Sequence, residues 1–208
     1  RTQQGVVISI EGEKPEFFDK IIFATHANDT LELLPDIKQE EYDILSRFSF
    51  QENNVILHSQ SSYMPKKKMA WSSWNYLSNN SEKKELCVTY WMNKLQSLSN
   101  HFQLFVTLNP FSDSPIKKPH RQFTYLHPIF DQKAIEAQKK LHTIQGPLHT
   151  YFCGAWTRYG FHEDGILSAV AIAKAFNIEI PWVSPIEACH APNLLATWEK
   201  KTNENTET

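Results

Sequence analysis

The residues with the most chemical potential lie in one string, CGAWTRYGFHEDGILSAVAIAKAF, at positions 153–176. An apolar strand pattern runs into Gly154, and a loop with Trp156 and Tyr159 follows. Glu163 and Asp164 then precede the small residues Ser168, Ala169, Ala171 and Ala173. A helix start presents unpaired N–H groups and the positive end of the helix dipole, which suit a phosphate or an anionic ring edge. The plainer reading is a capped helix packed on a sheet, with Asp164 as the cap. His26 and His58 each close an apolar strand pattern, where an imidazole either handles a proton or bonds backbone. Lys66, Lys67 and Lys68 precede Trp71, Trp74 and Tyr76. That run is either a solvated loop or a basic rim beside an aromatic wall, with Lys68 and Trp74 as candidate substrate contacts. Trp71 and Trp74 are three apart, so on a strand they point to opposite sides and at most one lines a cavity.

Several chemistries are excluded or weakened. The nine histidines show no HExxH and no paired-cysteine spacing, so no metal site is expected. No Ser-His-Asp arrangement follows from spacing. With 21 basic against 23 acidic residues and a net charge of -2, the chain lacks the basic excess of a bulk nucleic-acid binder. No apolar run reaches the roughly 18 residues needed to span a bilayer. Cys87, Cys153 and Cys189 are few, odd in number and far apart, which suits a reducing compartment and points to the cytoplasm. Only 6 residues are Gly, none of them between Gly12 and Gly146, so there is no glycine-rich phosphate loop. A chain that opens at Arg1 and runs at once into a strand pattern reads as the later part of a longer protein.

The elements that must position these residues fall into an interrupted order. Gln3 to Ile10 and Asp19 to Thr25 read as strands, the second an unbroken apolar run of the kind buried in parallel sheets. Ala27 to Leu34 and Lys38 to Phe48 read as helices. Asn53 to His58, Ala70 to Leu77, Leu86 to Met92 and Phe102 to Leu108 read as successive strands, with Gln122 to Leu126 a possible fifth, which indicates an antiparallel sheet. Asp131 to Gln145 is an amphipathic helix pattern with Asp131 as N-cap and Gly146 after its end. Thr150 to Cys153 is a strand, a helix runs from about Gly165 to Phe176, and the polar tail from Lys200 to Thr208 reads as disordered. The fold class is α/β (α+β): two pieces of an α/β layer bracket a mostly antiparallel β insertion.

Two segments, DKIIFATH at 19–26 and YFCGAWTRYGFHEDGILSA at 151–169, resemble the flavin-containing amine oxidase superfamily. Within it the chain is similar to a bacterial family of NAD/FAD-binding oxidoreductases related to the oxidase-like region of plant cyclopropane-fatty-acid synthases. MPKKKMAWSSWNYL (64–77), VTYWMNKLQ (88–96) and FVTLNP (105–110) extend the resemblance in the same order, from about residue 5 to 177. It implies FAD as cofactor and hydride transfer from a substrate carbon to the flavin. A small-molecule or lipid-like substrate follows by analogy with fatty-acid cyclopropanation. It implies parts of an FAD-binding domain at 1–34 and 147–177, a substrate domain at 35–146 and an extension at 178–208.

The resemblance also assigns residues. Ala24, Thr25 and His26 would pass near the cofactor, as would Gly154 and Ala155. Asp164, Gly165 and Ile166 would start a helix aimed at the flavin, with the Gly165 and Ile166 N–H groups reaching its pyrimidine edge. His58 would handle a water beside the flavin. Many members of the superfamily carry Asp or Glu where Ala155 stands, so that contact to the ribityl chain is either absent here or supplied by the backbone. The G-x-G-x-x-G turn that holds the pyrophosphate is absent too. The implied partner is therefore the missing N-terminal FAD-binding part of the same protein. The alternative is a non-enzymatic remnant or interaction domain that does not bind FAD alone.

Overall fold

A computed structural model describes residues 1–79 and 85–182. The expected polar tail, Cys189 and most of the 178–208 extension lie outside the described residues. In chain order the elements are β1 (Val6–Ile8), β2 (Glu16–Phe18), β3 (Ile21–Phe23), α1 (Ala27–Leu33), α2 (Gln39–Leu45) and β4 (Ser49–His58). Then come β5 (Trp74–Ser78), β6 (Leu86–Trp91), α3 (Met92–Leu95), β7 (Phe105–Leu108), β8 (Arg121–Ile129), α4 (Gln132–Gln138), β9 (Thr150–Phe152) and α5 (His162–Ala175). The fold is mixed α/β, and its chain divides into two compact units. One joins Arg1–Phe50 with the chain from Pro128 onward; the other is Gln51–His127. The insertion is therefore narrower than the expected 35–146. The physical reason is that α2 and α4, on either side of it, bury their apolar faces in the first unit's core.

In the first unit β1 and β2 form an antiparallel hairpin, with Val6 opposite Phe18. β3 and β9 pair in parallel, Ile21 opposite Thr150 and Phe23 opposite Phe152. Phe23 and Phe152 stack at 5.8 Å between ring centroids. Around them pack Ala27 and Leu34, Leu45 from α2, Ala134 and Ala137 from α4, then Leu141, Ile144 and Trp156. Asp131 caps α4 as expected, its Oδ1 accepting the Ala134 N–H at 2.9 Å. The helix expected to reach Gln145 stops at Gln138, and a 3-10 turn, Leu141–Ile144, carries the apolar pattern on to Gly146. A shift to three residues per turn keeps Leu141 and Ile144 on the core side.

A buried charge cluster ties this unit together. The Arg1 side chain is 2% exposed. It forms a bidentate pair with Glu41 of α2, Nη1 to Oε1 at 2.6 Å and Nη2 to Oε2 at 2.8 Å. Its Nε donates to Asp36 at 3.0 Å, and its Nη1 to Thr150 Oγ1 of β9 at 3.2 Å. Glu41 Oε2 also accepts the Lys38 N–H, so one carboxylate serves the ion pair and the start of α2. Burial alone would lower the guanidinium's pKa, but Glu41 and Asp36 more than offset it and the charge is held.

The second unit is an antiparallel sheet in the order β5-β6-β7-β4-β8. Directly paired residues share a face. The pairs Trp74–Tyr90–Val106–Leu57 and Tyr76–Val88–Leu108–Val55 line one face. Asn75, Leu77, Cys87, Thr89, Phe105, Thr107, Ile56 and His58 line the other, where Tyr63, Phe111 and Ile116 cover them. The segment from Ala70 is not strand until Trp74; a 3-10 turn, Lys68–Ala70, precedes it. Among the described residues no helix is long and apolar enough to cross a membrane.

Removing one partner from a buried ion pair strands the other charge. Glu41→Ala should therefore cost about 3–5 kcal/mol of unfolding free energy in urea titrations. Asp36, whose side chain is 37% exposed, should cost far less as Asp36→Ala. Equal, small losses would show that the Arg1 cluster contributes little.

Candidate functional site

The candidate site is the corner where β3 and β9 end and α5 begins. Both strands run in parallel, so Ala24–Thr25–His26 and Cys153–Gly154–Ala155 leave the sheet at the same, carboxyl end, where open α/β sheets hold ligands. The Cys153 N–H donates to Phe23 O at 2.9 Å and carries the pairing one residue past the strands. Trp156, 2% exposed, spans the two segments by donating from Nε1 to Thr25 O at 3.0 Å. Thr25 is fixed from its other side, its hydroxyl lying 2.8 Å from Thr30 Oγ1, which itself donates to His26 O at 2.9 Å.

Gly154 has φ 141° and ψ 164°, a region open essentially to glycine alone. A Cβ there would stand 2.7 Å from Trp156 Nε1. Its N–H donates to Ser168 Oγ at 2.9 Å, and Ser168 Oγ donates to Gly165 O at 2.7 Å. One hydroxyl thus joins the strand end to the first turns of α5. The N–H groups of Ala155, His162 and Glu163 have no acceptor among the described residues. Above Ala155 the surface is bare backbone, because a Cβ on Gly165 would meet nothing nearer than Ala155 N at 3.7 Å.

The structure gives four of the expected contact residues at this corner, Gly165, Ile166, Asp164 and His26, the following surroundings. The helix starts at His162, not near Gly165, so the Gly165 N–H is already spent on Phe161 O at 3.3 Å and that of Ile166 lies inside the helix. The donors left over are one turn earlier. Asp164, 5% exposed, does not face a ligand: its Oδ2 accepts the N–H groups of Phe161 at 3.0 Å and Tyr159 at 3.2 Å, and its Oδ1 lies 3.6 Å from Arg158 Nε. It is half of a capping box, since Phe161 has no side-chain acceptor to complete the other half. His26 stacks on Phe50 at 4.5 Å, with its Nδ1 4.0 Å from Asp29.

His58 is likewise corrected. It is fully buried in the second unit's core, against Tyr63 and Phe105. The Gln60 N–H donates to Nδ1 at 3.1 Å, which makes Nε2 the protonated nitrogen, donating to Thr107 Oγ1 at 2.7 Å. Thr107 and Thr89 continue the line at 2.9 Å. A ring enclosed on all sides with both nitrogens engaged has no room to handle a water. Desolvation lowers its pKa from 6.5 to about 4, with the Gln60 contact opposing and His120 adding to the shift. Cys87, on the same covered face, is buried too, and that burial pushes its thiol up to about 11.

Lys68 and Trp74 do not share a site. Lys68 Nζ sits 5.6 Å over the Trp71 ring, and Trp71 packs edge-on against Trp91 and Phe105, on the covered face of the sheet. Trp74 is 43% exposed on the opposite face, edge-on to Tyr90 at 5.5 Å. The two tryptophans do point to opposite sides. Trp74 shares its face with Tyr76, 63% exposed; sequence did not single out the stacked pair Phe123 and Tyr125 on β8, at the opposite edge of the sheet. That pair extends the same face, because His127, two residues on from Tyr125, bonds Asn53 at 2.9 Å. Alternation of Trp74 with Tyr76 and of Phe123 with Tyr125 was the available signal. A groove of about 630 Å³ between α2 and α4 is lined by charges of both signs (Glu40, Asp43, Arg47, Lys133, Glu136, Lys140), none of them a candidate site residue. Among the described residues no group of His, Cys, Asp and Glu is placed to hold a metal ion.

No protein-family model matches the chain, and no curated protein matches it in sequence. Among solved structures it is similar to the crystal structure of a CLA-producing fatty acid isomerase from P. acnes, with a TM-score of 0.59 at 15% identity. The similarity covers 86% of this chain and 46% of that one, so the chain spans less than half the length of that enzyme. The likeness is one of fold.

Two outcomes follow from this geometry. Gly154→Ala should cost about 2 kcal/mol or more by adding strain and a clash with Trp156, whereas Gly165→Ala should gain about 0.5–1 kcal/mol by helix propensity. Equal melting shifts for the two variants would refute the corner as drawn. For His58, the unfolded chain binds its proton near 6.5 and the folded chain only near 4. Stability from this residue, about 3 kcal/mol, is therefore complete at neutral pH and drains away as pH falls through that window. In an NMR titration its ring signals should stay neutral until pH about 4. A midpoint near the ordinary value would refute the burial.

Proposed function

We propose that this chain is part of an FAD-dependent oxidoreductase of the amine-oxidase type that acts on a lipid-like, apolar substrate. The observation that carries the reading is the corner at the carboxyl ends of two parallel strands, where the N–H groups of Ala155, and of His162 and Glu163 at the start of α5, are left without acceptors among the described residues. Such a corner suits the anionic parts of a dinucleotide cofactor. Asn28 Oδ1, three residues beyond Thr25, is buried with no partner among the described residues and offers an acceptor for a ligand hydroxyl or ring N–H. The residues present fit FAD, with Thr25, Gly154, Ala155 and the first turn of α5 as its contacts. The chemistry a bound flavin supplies is acceptance of a hydride from a substrate carbon. This chain's own part is to orient it and to offer donors where negative charge gathers.

The lipid preference rests on the second unit. Trp74, Tyr76, Tyr90, Phe123 and Tyr125, with Val88, Val106, Leu108, Val55 and Leu57, make one continuous apolar sheet face, and four of the aromatics are more than 40% exposed. A flat aromatic and aliphatic wall buries an acyl chain without needing polar complementarity. The fold likeness to a fatty acid isomerase supports the same class. Titration with FAD, followed by flavin fluorescence and by melting temperature, tests the first half. Gly165→Ala, which shields the Ala155 N–H while leaving the helix sound, should weaken FAD binding about tenfold, ~1.4 kcal/mol. Calorimetric titration with a long-chain fatty acid tests the second half, and Trp74→Ala should weaken it by a similar factor. Variants that bind FAD and fatty acid as the parent does would overturn the respective halves.

A further inference from the structure

The second unit carries a basic surface whose residues belong neither to the corner nor to the aromatic face. The segment 59–73 contains Lys66, Lys67 and Lys68 and no acidic residue. The segment 110–121 contains Lys117, Lys118, His120 and Arg121, with Asp113 its one acidic residue. All these cations are exposed. The fold binds the two segments to each other. Gln60 Oε1 accepts the N–H groups of Lys117 at 2.7 Å and Lys118 at 3.3 Å, and Ser59 Oγ meets His120 Nε2 at 2.8 Å. The Tyr63 hydroxyl donates to Ser114 O. Tyr63 and Ile116, both buried, root the two segments in one apolar cluster. Two lysine runs far apart in sequence thus leave neighbouring anchor points on the covered side of the sheet. In the middle of the 3-10 turn Lys68–Ala70 stands Met69, which is 100% exposed. Trp71 Nε1 holds the base of this loop through Pro65 O at 2.9 Å.

We propose that this surface docks on an anionic lipid bilayer, with Met69 entering the headgroup layer and the two lysine runs facing the lipid charges. A bare methionine directly after three lysines has the composition of an interfacial anchor, apolar at the tip and cationic beside it. A nucleic-acid site would instead place exposed aromatic rings among its cations, and the tryptophan here is turned inward under Lys68. The docking does not depend on the flavin reading, because it is measured as binding and not as turnover.

The test is co-sedimentation of the whole protein with vesicles of phosphatidylcholine alone and of phosphatidylcholine mixed with phosphatidylglycerol, at low and high salt. Binding should require the anionic lipid and should weaken as salt rises. Each lysine reversed or removed should weaken it by about fivefold. Lys66→Gln/Lys67→Gln and Lys117→Gln/Lys118→Gln should therefore each lose about 25-fold and keep the parent's melting temperature. Met69→Ser should weaken binding without altering the salt slope. The proposal fails if neutral vesicles bind equally well, if anionic vesicles do not bind, or if only one of the two lysine pairs matters. It also fails if single-stranded RNA competes at the affinity of the vesicles, which would make the surface a general polyanion site.

Discussion

The parallel pairing of β3 with β9 is the constraint from which the rest of the first unit follows. The partners, Ile21 and Thr150, are separated by the entire second unit. Closing so long a segment costs entropy, but that cost grows only with the logarithm of length. What repays it is local. Phe23 and Phe152 stack at the centre of the core, and the Arg1 guanidinium bridges Glu41 on α2 to Thr150 on β9. Once the strands are side by side and co-directional, their carboxyl ends coincide. Thr25 and Gly154 are then brought close enough for Trp156 to reach across from one to the other. The candidate site is thus a by-product of strand direction: an antiparallel pairing of the same residues would have put the two segments at opposite ends.

Within that corner the chemistry depends on what side chains leave bare. Gly154 must be glycine because Trp156 occupies the volume of its Cβ, while Gly165 has room for a methyl group yet lacks one. The first is a packing requirement; the second leaves the Ala155 N–H uncovered. Asp164 meanwhile accepts from two loop N–H groups and lies against Arg158, so its carboxylate is engaged by the loop and not by the corner. An inward-facing carboxylate would have repelled any anion there. The same sequence feature, an acidic residue in the first turn, is compatible with a ligand contact or with a cap. Only the loop's path, which carries the Tyr159 and Phe161 N–H groups over the helix end, decides between them.

Strand order and the mixed class were legible because unbroken apolar runs and short alternating runs differ in pattern. The start of α5 was not, for the residue that precedes it is Phe161, which carries none of the usual N-cap chemistry. His58 shows a different limit. Its position at the end of a strand is visible in sequence, but its burial depends on Tyr63 and Phe105 arriving from other segments. The facing of the β sheet was hidden for a further reason. Val55, Ile56 and Leu57 are all apolar, so the run itself does not say which face is covered. Register against β7 settles it, placing Ile56 with the enclosed Thr107 and leaving Leu57 with Val106. The Arg1 cluster rests on long-range partners that no local pattern announces.

The basic loops raise a question of energetics that the fold itself answers. Six cationic side chains, Lys66, Lys67, Lys68, Lys117, Lys118 and Arg121, crowd two neighbouring segments with Asp113 as the one acidic residue in either stretch. Like charges on a surface repel weakly where solvent and salt screen them, over about 8–10 Å. The repulsion is small enough for neutral bonds to hold it: Gln60 to two lysine N–H groups, Tyr63 to Ser114, and the apolar contacts of Ile116. None of these bonds uses a lysine ammonium group, although that of Lys68 lies over the Trp71 ring, and the backbone beneath the charges is fixed. A segment evolved only for stability would have mixed its signs, as the groove between α2 and α4 does with Glu40, Asp43, Arg47 and Lys133. Where one sign is gathered and the scaffold is built from uncharged contacts, the stored repulsion is released when an anionic surface approaches, and that release adds to the attraction instead of opposing it.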